Sequence, residues 1–143
     1  MAREQVLVDT WGWLALTDRR EPRHAAVHAL VSGLLHAGGS VVTTDYILDE
    51  TFTIIFRRLP LPRARRFLTT IEQAEGDQSL HIERILPERF TRAKQLRLRF
   101  RDKPRISFTD LTTMAVMSEL RLARIVTGDD HFRQVGLGLA VVP

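Results

Sequence analysis

Apolar residues along this chain fall into short unbroken runs separated by longer stretches of helical spacing. The runs Gln5 to Val8, Val41 to Thr44, Leu80 to Ile82 and Arg124 to Val126 read as strands, mostly buried on both faces, and Val141 with Val142 supplies a last edge strand. Between the first two strands, Trp11 to Leu16 reads as a short apolar turn that places Trp11 and Trp13 in the core. Glu21 and Pro22 then open a helix whose buried stripe is Val27, Leu30, Val31, Leu34 and Leu35, and Gly38 with Gly39 ends it. The helix from Asp45 to Arg57 carries Tyr46, Ile47, Leu48, Phe52, Ile54, Ile55 and Phe56, which leaves little of it polar and predicts burial on more than one side. Beyond the turn bracketed by Pro60 and Pro62, a helix over Arg63 to Glu75 faces Phe67 and Ile71 inward and Arg63, Arg65 and Arg66 outward. Pro87 to Phe100 is helical, with Phe90, Ala93, Leu96 and Phe100 apolar. Ser107 reads as the N-cap of a helix running to Leu120 whose packed face is Leu111, Met114, Ala115 and Met117 or Ser118. Strands alternating with helices predict a three-layer α/β/α sandwich around a central, mainly parallel sheet.

Composition narrows this picture. With 143 residues, 44% of them apolar, and no linker-like segment, residues 1–143 read as a single domain. The absence of cysteine excludes disulfides, thiolate metal sites and a cysteine nucleophile. The chain enters its first strand without a secretion signal and has no apolar run long enough to span a bilayer, so a cytoplasmic protein without membrane attachment is expected. Lysine and arginine outnumber the acids 21 to 17. The series Arg89, Arg92, Lys94, Arg97, Arg99, Arg101, Lys103 and Arg105 leads directly to Ser107, as suits a polyanionic substrate.

Against this basic background, acids recur at the ends of regular elements. Asp9 follows the first strand, and Asp110 lies three residues after Ser107, in a first turn where the macrodipole favours negative charge. Thr127, Gly128, Asp129 and Asp130 follow the Arg124 to Val126 strand, at the edge where open α/β sheets bind ligands. In the third helix Glu50 sits between Tyr46 and Ile54 and is taken as the inward acid, whereas Asp49 shares the polar side with Asp45. Singly, Asp9 reads as a turn cap and Asp110 as a first-turn acid; the coincidence of four favours a site. Asp130 reads as a solvated turn residue, and His24 with His28 as a surface pair lacking a third metal ligand. His131 is close enough to the acids to touch a substrate, with a backbone-satisfied turn histidine as the equal alternative.

Asp9 in Val-Leu-Val-Asp-Thr, Glu50, Asp110 after Ser107-Phe108-Thr109, and Asp129 in Thr127-x-Asp129-x-x-Phe132 together resemble the PIN-domain family over almost the whole chain. More narrowly, the chain is similar to the VapC-type ribonuclease toxins of toxin-antitoxin pairs. The resemblance implies an acidic pocket that binds Mg²⁺ or Mn²⁺ and hydrolyses RNA phosphodiester bonds. It makes Asp9, Asp110 and Asp129 ligands, with Glu50 completing the shell or positioning water, and Thr127 and Ser107 supporting them by hydrogen bonds. Such an all-carboxylate site suits hard cations and not zinc. Arg99, Arg101, Lys103, Arg105 and His131 are the candidate RNA contacts. A homodimer through the third helix and the Arg63 to Glu75 helix is also implied, as is a cognate antitoxin that inserts Arg or Lys among the acids. A phosphatase of the haloacid dehalogenase type is disfavoured, because its second aspartate would fall at Trp11. A non-catalytic PIN-like module that binds RNA or protein remains the alternative, ranked lower because all four acids are intact.

Overall fold

β1 (Gln5–Val8) lies at the centre of the molecule, and Val6, Leu7 and Val8 are wholly buried. The computed structural model describes residues 3–143. β1 pairs in parallel with β2 (Ser40–Thr44) on one side and β4 (Arg124–Val126) on the other. β3 (Leu80–Glu83) and β5 (Ala140–Val142) are the edges of a five-stranded sheet ordered β3-β2-β1-β4-β5, parallel throughout. The chain therefore runs outward from β1 to β3, crosses back, and continues outward through β4 and β5. This reversal sends the connecting helices to opposite faces and gives the expected three layers. It also opens a crevice beyond the carboxyl ends of β1 and β4, the topological switch point.

α1 (Thr10–Thr17), α2 (His24–His36), α3 (Asp45–Arg58) and α4 (Leu61–Gly76) occupy the first half, and α5 (Pro87–Arg99), α6 (Phe108–Leu120) and the short α7 (His131–Gln134) the second. The expected turn after β1 is instead a full helix. Asp9 caps α1 by accepting from the Gly12 N–H at 3.1 Å, and Trp13 is held by its indole N–H to Thr43 Oγ1, which in turn donates to the Val8 carbonyl. α2 begins at His24, not at Glu21, because Glu21 lies in a turn closed onto the Asp18 carbonyl.

Three burial expectations are reversed. α3 buries a single stripe, Ile47, Leu48, Thr51 and Ile55, and leaves Phe56 exposed, so it is covered on one side only. α6 is the helix enclosed all round: every residue from Leu111 to Met117 is buried. The Thr112 and Thr113 hydroxyls, which would otherwise be stranded there, both donate to the Thr109 carbonyl. Arg63 does not point outward as expected; it is half-buried and donates to the Thr17 carbonyl at 2.6 Å, tying α4 to α1.

Gly12 lets α1 lie against the sheet, since a Cβ there would stand 2.8 Å from the Val126 carbonyl oxygen and from a Val8 methyl. Gly12→Ala is expected to cost about 1–3 kcal/mol in chemical denaturation. Gly33→Ala, inside α2 with open space at its Cβ, should gain roughly 0.5–1 kcal/mol by the same measurement. Equal effects at the two positions would contradict this packing.

Candidate active site

A cavity of about 680 Å³ opens at the switch point, and Asp9, Glu50, Asp110 and Asp129 all line it. Each acid is delivered by a different element. Asp9 leaves the end of β1, where its backbone N–H donates to the Val126 carbonyl at 3.2 Å and so joins the ends of β1 and β4. Asp110 comes from the first turn of α6, set by Ser107, whose hydroxyl accepts from the Asp110 N–H at 3.0 Å. Asp129 follows β4, and its N–H donates to the Thr127 hydroxyl oxygen at 3.1 Å. Glu50 projects from α3, which is anchored to α1 where the Thr10 and Thr51 hydroxyls lie 3.1 Å apart and both reach the Ile47 carbonyl. Glu50 is the exposed member at the mouth, and Asp49 does not line the cavity.

Only part of this set is in tight contact. Oxygens of Asp110 and Asp129 and a ring nitrogen of His131 lie within 4.8 Å of one another, while Asp9 and Glu50 line the same cavity outside that group. His131 Nδ1 is 3.0 Å from Asp129 Oδ2 and 3.5 Å from Asp110 Oδ2. The backbone N–H of His131 donates to the other Asp129 oxygen at 2.8 Å, which fixes the ring over the acid pair. The backbone-satisfied turn histidine considered from sequence does not occur, since Nδ1 is buried without an aligned hydrogen-bond partner.

The acids perturb one another as crowding predicts. Burial pushes the Asp9 carboxyl up to about 7; the Thr127 hydroxyl and Gly12 N–H oppose the shift, and the charges of Asp110 and Asp129 add to it. Asp110 is raised by burial and then by Asp129, with His131 and Ser107 pulling the other way. Glu50 is raised by burial, Asp110 and Asp49. Asp9, Asp110 and Glu50 thus resist ionisation, a strain that a cation would relieve.

The basic series divides. Arg105 lines the cavity. Arg97, a member of that series, turns inward and donates to the carbonyls of Phe100, Lys103 and Ile106, pinning the loop that carries Arg105 and Ser107. Arg89 likewise bridges Glu83 and Glu119. Arg99 and Lys103 lie over the Phe100 ring, and Arg101 remains on the loop surface; none of the three lines the cavity. Trp11, expected in the core, is half-buried on the cavity wall, where its indole packs flat against Gly128 and beneath Arg23. Asp130 stays at the exposed rim near Arg133.

The sequence model of the PIN domain matches residues 6–137, which takes in all four acids. The chain belongs to the PIN domain family. Among solved structures, this PIN domain is similar to VapC20 of Mycobacterium tuberculosis, a sarcin-ricin loop cleaving toxin, with 24% identity and a TM-score of 0.76 over 96% of this chain and 99% of that one. It is also similar to VapBC2 of Rickettsia felis bound to a promoter DNA fragment, with 13% identity and a TM-score of 0.73 over 96% of this chain and 97% of that one. No curated protein sequence matches. At these identities the two structures establish the fold.

What sequence reading missed in this PIN domain is the closeness of His131 to both Asp110 and Asp129, although its position two residues after Asp129 was the available signal. The raised Asp9 carboxyl sets a pH dependence. In metal-free protein the folded chain keeps a proton on Asp9 that the unfolded chain releases above 3.8, so this contribution is complete below 3.8 and is lost as pH rises through about 7. Asp110 and Glu50 act in the same direction, and Asp18, held down to about 2 by Arg20, loses its own contribution only further into acid. Thermal melts in EDTA should therefore fall from mildly acidic to neutral pH, and Asp9→Asn should flatten the fall. A melt that rises over this range would contradict the burial of Asp9.

Proposed function

We propose that this protein is a Mg²⁺- or Mn²⁺-dependent endoribonuclease, the toxin of a toxin-antitoxin pair. The observation that carries this reading is the convergence of Asp9, Asp110 and Asp129, with Glu50 at the mouth, on one cavity at the carboxyl edge of the sheet. The donor set fits a hard divalent cation, because carboxylate oxygens predominate and their mutual repulsion is relieved by positive charge. Asp9, Asp110 and Asp129 would hold the ion. When bound, it supplies Lewis acidity that activates water and screens charge developing on the phosphate. Glu50 positions the attacking water from the solvent side. Arg105, on the loop pinned by Arg97, meets the phosphate backbone, and the exposed Arg99, Arg101 and Lys103 extend its attraction by field more than by contact.

VapC20 is an RNA-cleaving toxin, and VapBC2 names a toxin-antitoxin assembly, which supports RNA as substrate and an antitoxin as partner here. A second, largely apolar cavity of about 740 Å³ runs past Trp13, Leu16, Val31, Leu35 and Phe67, and it suits an apolar antitoxin segment. An antitoxin Arg or Lys entering the separate acidic cavity would pair with the carboxylates and silence them. Exposed Phe56 and Leu61, on α3 and at the start of α4, support the homodimer expected there. No helix among the described residues is long and apolar enough to cross a membrane, and we place the protein in the cytoplasm as a toxin acting on cellular RNA.

Asp110→Asn tests this reading. The variant removes one repelling charge while keeping the shape, so in EDTA it should match or exceed the wild type, by up to about 1–2 kcal/mol. It should lose the stabilisation that Mg²⁺ or Mn²⁺ gives the wild type, and cleavage of pooled RNA should drop to background. An acid serving only the helix dipole would instead be missed by roughly 0.3–1 kcal/mol with or without metal. A variant less stable in EDTA that keeps its full metal response removes Asp110 from the site.

A further inference from the structure

We infer that His131 is itself a metal ligand, so that the centre is a mixed nitrogen and carboxylate site that favours Mn²⁺ over Mg²⁺. This rests on the metal-dependent reading above and changes its chemistry from the all-oxygen set expected from sequence. His131 Nδ1 faces Asp129 Oδ2 at 3.0 Å and Asp110 Oδ2 at 3.5 Å. These three donor atoms, within 4.8 Å of one another, are the only such group among the described residues. Nδ1 is shut off from solvent and lacks an aligned hydrogen-bond partner. An imidazole nitrogen buried against two carboxylate oxygens is unsatisfied unless a proton or a cation lies between them. The 3.0 Å approach to Asp129 is not aligned as a hydrogen bond, whereas a cation shared by the three donors would satisfy all of them at once.

The backbone supports the same role. The His131 N–H holds one Asp129 oxygen at 2.8 Å, leaving the other beside the ring, so aspartate and histidine present two donors from adjacent positions of one turn. Thr127 fixes that turn from below through the Asp129 N–H. Imidazole nitrogen discriminates between the candidate ions. Mg²⁺ keeps oxygen ligands and sheds water reluctantly, whereas Mn²⁺ and the later divalent metals accept a nitrogen donor.

Pulsed electron paramagnetic resonance on the Mn²⁺-loaded full chain, paired with calorimetric titration of Mn²⁺ and Mg²⁺, tests the assignment. The wild type should show nitrogen coupling to Mn²⁺, and His131→Asn should abolish it. Mn²⁺ affinity should fall about tenfold in the variant while Mg²⁺ affinity changes less than about threefold. Bound Mn²⁺ without nitrogen coupling in the wild type overturns the assignment and leaves metal dependence standing. An equal loss of both metals in the variant also overturns it, since that marks a purely electrostatic role. Absence of any Mn²⁺ binding by the wild type overturns the metal-dependent reading itself. The wild-type spectrum decides the matter even if the variant folds poorly.

Discussion

A carboxylate buried at the end of the central strand is the constraint on which this molecule turns. Asp9 is only 8% exposed, and it follows three wholly buried residues of β1. A charge in that position is costly unless it is compensated. The chain compensates it in part, through the Thr127 hydroxyl and the Gly12 N–H, and then sets Asp110 and Asp129 near it, which offsets part of that gain. Packing that served stability alone would not bring further acids to such a place. The arrangement is intelligible as a site that trades stability in the empty state for affinity toward a cation.

The topology explains why the acids meet. Because the sheet runs outward from β1 in both directions, the ends of β1 and β4 are neighbours although more than a hundred residues separate them in sequence. Asp9 and Asp129 are consequently delivered to the same cavity. α6, enclosed throughout its middle, carries Asp110 on a rod that has little freedom to move. Glu50 comes from the less enclosed α3 and stays at the mouth. The basic residues are sorted by the same packing, with Arg89 and Arg97 spent on holding elements together and Arg105 left facing the cavity.

Much of this was legible in the residue order. Unbroken apolar runs reported doubly buried strands, Ser107 reported the start of α6, and acids placed just after strands pointed to the carboxyl edge. Elements whose burial depends on neighbours distant in sequence were misjudged. The apolar circumference of α3 suggested enclosure, yet its outer face remains open; α6, with a conventional stripe, is surrounded because α5 and α3 pack against it. Arg97 and Arg63 resembled surface residues by composition, but long cationic side chains also reach carbonyls that a loop or helix end leaves unpaired. His131 was read as a substrate contact because nothing in linear spacing shows that α6 brings Asp110 to within 3.5 Å of its ring.

The central claim is that these acids converge in order to hold a cation, and the location of a bound ion tests it most directly. In crystals grown with saturating Mn²⁺, anomalous scattering should place an ion against Asp110 and Asp129, with Asp9 joined to it directly or through water. An ion bound elsewhere on the chain, or no ion at all with the acids ordered and apart, would contradict the account.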